Sequence, residues 1–270
     1  MRTCGYEYFV ASPNAERAEC YERLADIAEH MGIKDTAAWR EKARAIRQSI
    51  RDNLWDDDAG WFKCVHPNGH IEMVYSIQAY DALRAGGCDQ RMKDALLAQL
   101  KNGAFLGKYG VSSVSPLDEK HYELNDPDWS GGGSYTGEGP ILVQTLWENS
   151  ASELAWDVLK RHFWMGEMLV YYPQEHYCDR PALPAHKRAN IISGMTGAQA
   201  LLFGMTGIKP ALDGTLVIDP HPPKDGFVEI NGFKYKDLTI NLLMKPGYVR
   251  IESNGAVVHD GKAKKIILKV

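Results

Sequence analysis

No stretch of these 270 residues approaches the run of about 20 apolar residues that a membrane span requires. The start, Met1-Arg2-Thr3-Cys4-Gly5-Tyr6-Glu7, lacks the apolar core of a signal peptide, so a cytoplasmic or periplasmic location is expected. No Cys-x-x-Cys occurs among the five cysteines, whose odd number and wide spacing argue against both a disulfide framework and a zinc site. The nine histidines are dispersed, with no clustered metal-binding tract, and no Asn-x-Ser/Thr sequon is present. Neither sign of charge dominates: a net charge of −4 gives no reason to expect a nucleic acid or an anionic membrane as partner. What remains is an ordinary globular balance, 44% hydrophobic and 24% charged, in a chain long enough to bury a sizeable core.

The first three-quarters of the chain reads as helical. Residues 14–31 place Ala18, Tyr21, Leu24, Ala25, Ala28 and Met31 at helical spacing, after Ser12-Pro13 and before Gly32. Residues 36–54 repeat the pattern with Trp39, Ala43, Ile46 and Ile50, which makes an antiparallel hairpin of the two segments. A third helix is expected over about 70–84 (Met73, Ile77, Tyr80), and a fourth over about 89–101. Residues 103–137 are dense in Gly, Ser, Pro and Asp; a loop of that length inside a domain is usually functional. Helices then resume near 139–148, 150–164 and 189–205, with Trp147, Trp156 and Trp164 at core spacing. From Gly207 the texture turns to strands: Thr215–Ile218, Phe227–Ile230, Phe233–Met244, Tyr248–Glu252, Ala256–His259 and Lys264–Val270, with Asn254-Gly255 as a hairpin signal. The expected organisation is a helical domain over 1–206 and a small sandwich-like β domain over 207–270.

Chemistry concentrates in two loops. Asp126-Pro127-Asp128-Trp129-Ser130-Gly131-Gly132-Gly133-Ser134-Tyr135 leads to Glu138, and Tyr171-Tyr172-Pro173-Gln174-Glu175-His176-Tyr177 leads to Asp179-Arg180. One helical hairpin separates them, so they can meet at one end of a bundle. Aromatic faces beside carboxylates suit a sugar site, because rings stack on pyranose C–H faces and carboxylates move protons. Trp129 and Tyr135 are the stacking candidates, while Asp126 and Asp128 are candidates for binding hydroxyls, although turn-forming Asx residues explain them equally well. His176, Tyr177, Arg180 and Lys187 are further substrate-binding candidates, with plain surface charge as the bland alternative for the basic ones. Glu138, just before Pro140, is a second candidate catalytic carboxylate, and it equally fits a helix N-terminal acid. The Asp56-Asp57-Asp58 trio lacks the twelfth-position glutamate of a calcium loop and reads as a solvated turn. Gly131-Gly132-Gly133 has no following Gly-Lys-Ser/Thr, which excludes a phosphate loop, and Ser134 lacks the Gly-x-Ser-x-Gly frame of a serine hydrolase.

Leu54-Trp55-Asp56 with Ala59-Gly60-Trp61-Phe62, Trp129-Ser130-Gly131-Gly132, Glu175-His176-Tyr177 with Ser193-Gly194, and Leu212-Asp213-Gly214-Thr215-Leu216-Val217-Ile218-Asp219-Pro220 together resemble the (α/α)6-barrel, or six-hairpin, glycosidases. The resemblance is to the processing α-glucosidase I group (glycoside hydrolase family 63) and the mannosylglycerate-hydrolase-like enzymes, with trehalases more distant. It implies a mainly α fold of antiparallel helical hairpins in a toroid, followed by a β domain. It also implies hydrolysis of a glycosidic bond in an oligo- or polysaccharide by carboxylate acid/base chemistry, with inversion, and with no metal or organic cofactor. Glu175 matches the family's general base. An inverting pair holds its carboxyls about 6.5–9.5 Å apart to admit water. The chain departs from the pattern in two ways: only about seven helices precede the β tail, and the family's catalytic aspartate falls upstream of Met1. The resemblance therefore aligns to the C-terminal half of the barrel. Such a half is either a piece of a larger enzyme or a unit completed by another chain, and its open helix faces would favour self-association. A polysaccharide lyase or sugar epimerase on the same toroid, using Tyr135, Tyr177 and His176, is the rival enzyme class. A non-catalytic carbohydrate-binding fragment is the rival outside catalysis.

Overall fold

The computed structural model describes residues 6–125, 133–185 and 188–269. Two helices open the chain, α1 (Ala11–His30) and α2 (Ala37–Ser49), with a wide π-type turn, Ile50–Leu54, continuing α2. They form the expected antiparallel hairpin, turning at Gly32 (φ 73°) and Asp35 (φ 73°). The face α1 buries differs from the expected stripe: Ala11, Ala15, Ala18, Ala25 and Ala28 face inward, while Leu24, Ile27 and Met31 are exposed. Small side chains let neighbouring helix axes approach closely, which leaves the larger apolar residues at the margin. Arg40 of α2 reaches back to Glu22, Asp26 and Glu29 of α1, tying the hairpin on its solvent side.

Next come the strands β1 (Trp55–Asp56), β2 (Trp61–Val65) and β3 (Ile71–Met73), a three-stranded antiparallel sheet. Here the sequence reading of a helix from about 70 is corrected. Lys63 pairs with Met73 and Val65 with Ile71, around a turn containing Asn68 and Gly69 (φ 82°). Asn-Gly between apolar runs is a hairpin signal, and it overrides the weak helical spacing of Met73 and Ile77. The helix begins only at α3 (Ala79–Arg84), followed by α4 (Gln90–Ala98), capped by the Asp89 carboxylate accepting from Met92 N at 2.9 Å. The acidic turn is a turn: Asp56 accepts from Ala59 N, and Asp57 accepts from the Trp55 indole at 2.8 Å.

Trp61, fully buried, is the centre of the first half of the core. Its ring stacks on Phe105 and on Tyr75, each at 5.3 Å, and its indole N–H donates to the Val74 carbonyl at 2.9 Å. Two short ladders follow. The first joins β4 (Leu106–Gly107) to β5 (Gly110–Val111), and the second joins β6 (Gly133–Tyr135) to β7 (Glu175–Tyr177). Between β6 and β7 lie α5 (Glu138–Glu148), α6 (Ser152–Lys160) and α7 (Phe163–Met168), where Trp147 and Trp156 meet edge to face at 5.6 Å. The segment after β7 forms α8 (Ile191–Gln199), which runs into a π-type turn over Ala200–Met205.

The tail holds β8 (Lys209–Pro210), β9 (Leu216–Ile218), β10 (Val228–Tyr235), β11 (Leu238–Lys245), β12 (Tyr248–Ser253), β13 (Ala256–Gly261) and β14 (Ile266–Leu268). The four strands β10 to β13 make one antiparallel meander, and β14, β9 and β8 make a second small sheet. Alternate residues Leu238, Ile240, Leu242 and Met244 of β11 are buried, so the meander packs one face on the core. The expected single run Phe233–Met244 is corrected: it turns back at Lys236-Asp237, with Tyr235 paired to Leu238. Asn231-Gly232, read as a break between strands, is a bulge within β10, where Gly232 N donates to the Asn241 side chain at 2.8 Å. Among the described residues, no helix is long and apolar enough to cross a membrane, and Cys20, Cys88 and Cys178 are free thiols.

Candidate active site

The two chemistry-bearing loops meet through the β6–β7 ladder. Gly133 pairs with Tyr177, Ser134 with His176 and Tyr135 with Glu175. Directly opposed residues of an antiparallel pair project to the same face. Tyr135, Glu175 and Tyr177 therefore leave one side of the ladder, and Ser134 and His176 leave the other. Thr136 N donates to the Gln174 carbonyl at 2.9 Å, extending the junction toward α5.

On the first side lies a hollow of about 220 Å³ lined by residues of α3, α5 and the ladder, among them Gln78, Tyr80, Asp81, Tyr135 and Glu138. Glu138 stands in the first turn of α5, where backbone N–H groups favour negative charge. Burial nevertheless pushes its carboxyl up to about 7; the hydrogen bond from Ser113 opposes that rise, and the charge of Asp81 adds to it. The Ser113 hydroxyl donates to Glu138 Oε2 at 2.6 Å and accepts from Tyr135 N at 3.3 Å, while the Ser113 carbonyl accepts from Ile77 N at 2.9 Å. Ser113 thus fixes the carboxyl between the entry to α3 and the ladder. Asp81, across the hollow, is also raised, to about 6, by burial; Arg84 opposes that rise and Glu16 adds to it. The Tyr135 hydroxyl accepts from the Asn190 amide at 3.2 Å, so its ring forms a fixed wall.

Glu175 is 2% exposed, and its Oε1 accepts from the Gln174 amide at 2.6 Å. Tyr177 and Arg180 form a separate outer cluster. The guanidinium lies 3.9 Å from the Tyr177 ring centroid, donates to Asp179, and reaches the Asn125 side chain at 3.0 Å. His176 turns the other way, fully buried. Its Nδ1 faces the Thr136 hydroxyl at 3.0 Å, its Nε2 faces the Cys178 sulfur at 4.0 Å, and its ring meets that of His162 at 5.7 Å. Burial holds its pKa well below the ordinary value, so it is a neutral core imidazole. Asp126, Asp128, Trp129 and Lys187 lie outside the described residues.

Tyr135 and Glu138 line the hollow together, Glu175 stands opposite Tyr135 in the ladder without lining the hollow, and His176 is left on the far side. The residue the sequence reading passed over is Asp81. Its signal was faint: a lone acid in a short helix that also carries Arg84, distinguishable from a surface residue only once Tyr80 and Leu83 are seen to be core.

Residues 11–133, just under half of the chain, match the family model described as the mannosylglycerate hydrolase MGH1-like glycoside hydrolase domain. That span includes Asp81 and stops short of Glu138 and Glu175. No curated protein sequence matches the chain. Among solved structures, a sialidase superposes with a TM-score of 0.83 at 13% identity, covering 98% of this chain and 27% of its own. The GH63 mannosylglycerate hydrolase of Thermus thermophilus, in complex with glucose, gives 0.59 at 16% identity, covering 72% and 47% respectively. The neutral trehalase of Saccharomyces cerevisiae gives 0.57 at 12% identity, covering 70% and 37%. The chain therefore spans between a quarter and a half of the length of these proteins, and at such identities the likeness is one of fold. The chain is thus similar in fold to these proteins, and over residues 11–133 to the mannosylglycerate hydrolase MGH1-like glycoside hydrolase domain.

Proposed function

We propose that the chain carries part or all of the active centre of a glycoside hydrolase acting on an oligo- or polysaccharide, on one wall of an (α/α) toroid. The observation that carries this reading is Glu138: a carboxyl raised to about 7, beside Tyr80 and Tyr135, in the wall of an open hollow. A carboxyl still protonated near neutral pH is what a general acid needs to protonate a departing glycosidic oxygen. Glu175, opposite Tyr135, takes the role of base and activates the attacking water, and inversion at the anomeric carbon follows from that division of labour. Asp81 keeps the Glu138 proton in place, because two carboxylates at one hollow resist ionising together. Tyr135 offers its ring to a sugar face.

The division into a helical portion to residue 206 and a sandwich-like β portion from 207 belongs to the same proposal, as do the toroid and self-association through its open faces. A lyase or epimerase would need a histidine at the substrate, and His176 is sealed between Thr136 and Cys178. The test is hydrolysis of α- and β-linked oligosaccharides, with the product anomer read by proton NMR. Turnover that survives Glu138→Gln with kcat/KM unchanged would sink the assignment.

A further inference from the structure

Away from the hollow, and sharing no lining residue with it, the β2–β3 hairpin gathers His66, His70 and Glu72 so that one ligand atom from each lies within 4.8 Å of the others. The turn itself does this. His66 N donates to the His70 carbonyl at 2.9 Å, closing the loop around Asn68-Gly69, and the two imidazoles meet at a centroid distance of 5.0 Å. Nε2 of His66 is closed off from solvent and makes no hydrogen bond with any described residue. It points at Glu72 Oε2 from 3.5 Å. That separation is long for a hydrogen bond. It is the edge of a tetrahedron around an ion whose bonds are about 2.0–2.2 Å, which spans roughly 3.3–3.6 Å.

We propose that His66, His70 and Glu72 form a binding site for a divalent transition metal, zinc by the chemistry of its donors, with water in the fourth position. Two imidazoles and one carboxylate are borderline ligands suited to zinc rather than to calcium or magnesium, which take oxygen. The surroundings hold the carboxylate in place. Glu72 Oε1 is engaged by Lys120 and by His121 Nε2 at 2.9 Å, and His121 is anchored in turn by Asp118 at 2.8 Å. Outer partners of this kind fix a ligand's orientation and leave its second oxygen directed at the metal. Tyr8 packs its ring on His66 at 4.6 Å and covers one side. An ion here would close the β2–β3 hairpin on itself, across the turn that joins its strands.

The test is calorimetric titration of zinc chloride into the full chain, free of any polyhistidine tag and stripped of metal, beside His70→Ala and His259→Ala. The His70 ring is exposed, so its removal leaves the metal-free fold intact, which equal melting temperatures without zinc verify. The expected result is one equivalent of zinc bound by the parent and by His259→Ala, with zinc raising the melting temperature of both. In His70→Ala the affinity falls at least ~10-fold, since disturbing even an outer partner costs that much. Absence of stoichiometric uptake by the parent, or equal affinity in His70→Ala, overturns the proposal.

Discussion

Glu138→Gln is expected to separate the stability of this protein from its chemistry as a function of pH. The carboxyl ionises near 4.5 when unfolded and at about 7 when folded. Below pH 4.5 both states hold the proton. Between 4.5 and 7 the unfolded chain releases it while the folded chain retains it, so the stability of the folded state declines as pH rises. Above 7 both are ionised, and the full cost of a buried charge remains. At about 1.4 kcal/mol per pH unit, the rise is worth at most about 3 kcal/mol. Solvent reaches part of the residue, and screening lowers the figure. Glutamine is uncharged throughout and keeps the Ser113 bond through its carbonyl. The variant should gain on the parent by up to about 3 kcal/mol between pH 4.5 and 7.5, while losing turnover. Urea unfolding followed by tryptophan fluorescence at pH 5 and pH 8 measures this directly. A stability difference independent of pH would refute the burial argument, and with it the reason for assigning the acid to Glu138.

Gly139→Ala would put a methyl group 2.2 Å from Nε2 of the buried His162, a clash that neither group can easily avoid. Thermal unfolding should show a loss of about 1–3 kcal/mol. Trp61→Ala removes the ring stacked between Phe105 and Tyr75 and should cost about 3–5 kcal/mol in chemical denaturation. Residues 1–206 expressed alone should lose cooperative unfolding in calorimetry, because Leu216, Ile218, Leu238 and Ile240 share one continuous buried cluster with Trp147 and Ile208.

The α1–α2 hairpin and the α5–α6 pair were legible because helical spacing and glycine punctuation agree with tertiary packing there. The β2–β3 hairpin was not, since Met73, Ile77 and Tyr80 imitate a helical stripe although the first belongs to a strand and the last to a helix. Asn231-Gly232 looks like Asn254-Gly255 in sequence. What makes one a bulge and the other a turn is the partner strand, where Asn241 waits for Gly232 N. Loop chemistry was half legible. Alternation along Tyr135 and Glu175 is a local property, yet the register that sets Glu175 against Tyr135 rather than Ser134 depends on pairing across 40 residues. One step of slip would have placed His176 on the Tyr135 side of the ladder instead. Asp81 became visible only through the hollow it lines, and the histidine cluster only through the turn that closes it.

The central claim is that Glu138 and Glu175 are the chain's catalytic carboxylates, and the most direct measurement is hydrolysis by the parent, Glu138→Gln and Glu175→Gln on one panel of α- and β-linked oligosaccharides. The account predicts turnover by the parent with kcat/KM falling as pH rises through about 7, the range in which Glu138 loses its proton. It predicts a loss of at least ~100-fold in each variant, the low end of what general acid–base catalysis contributes. Full activity in either variant, or a rate indifferent to pH between 6 and 8, would contradict it.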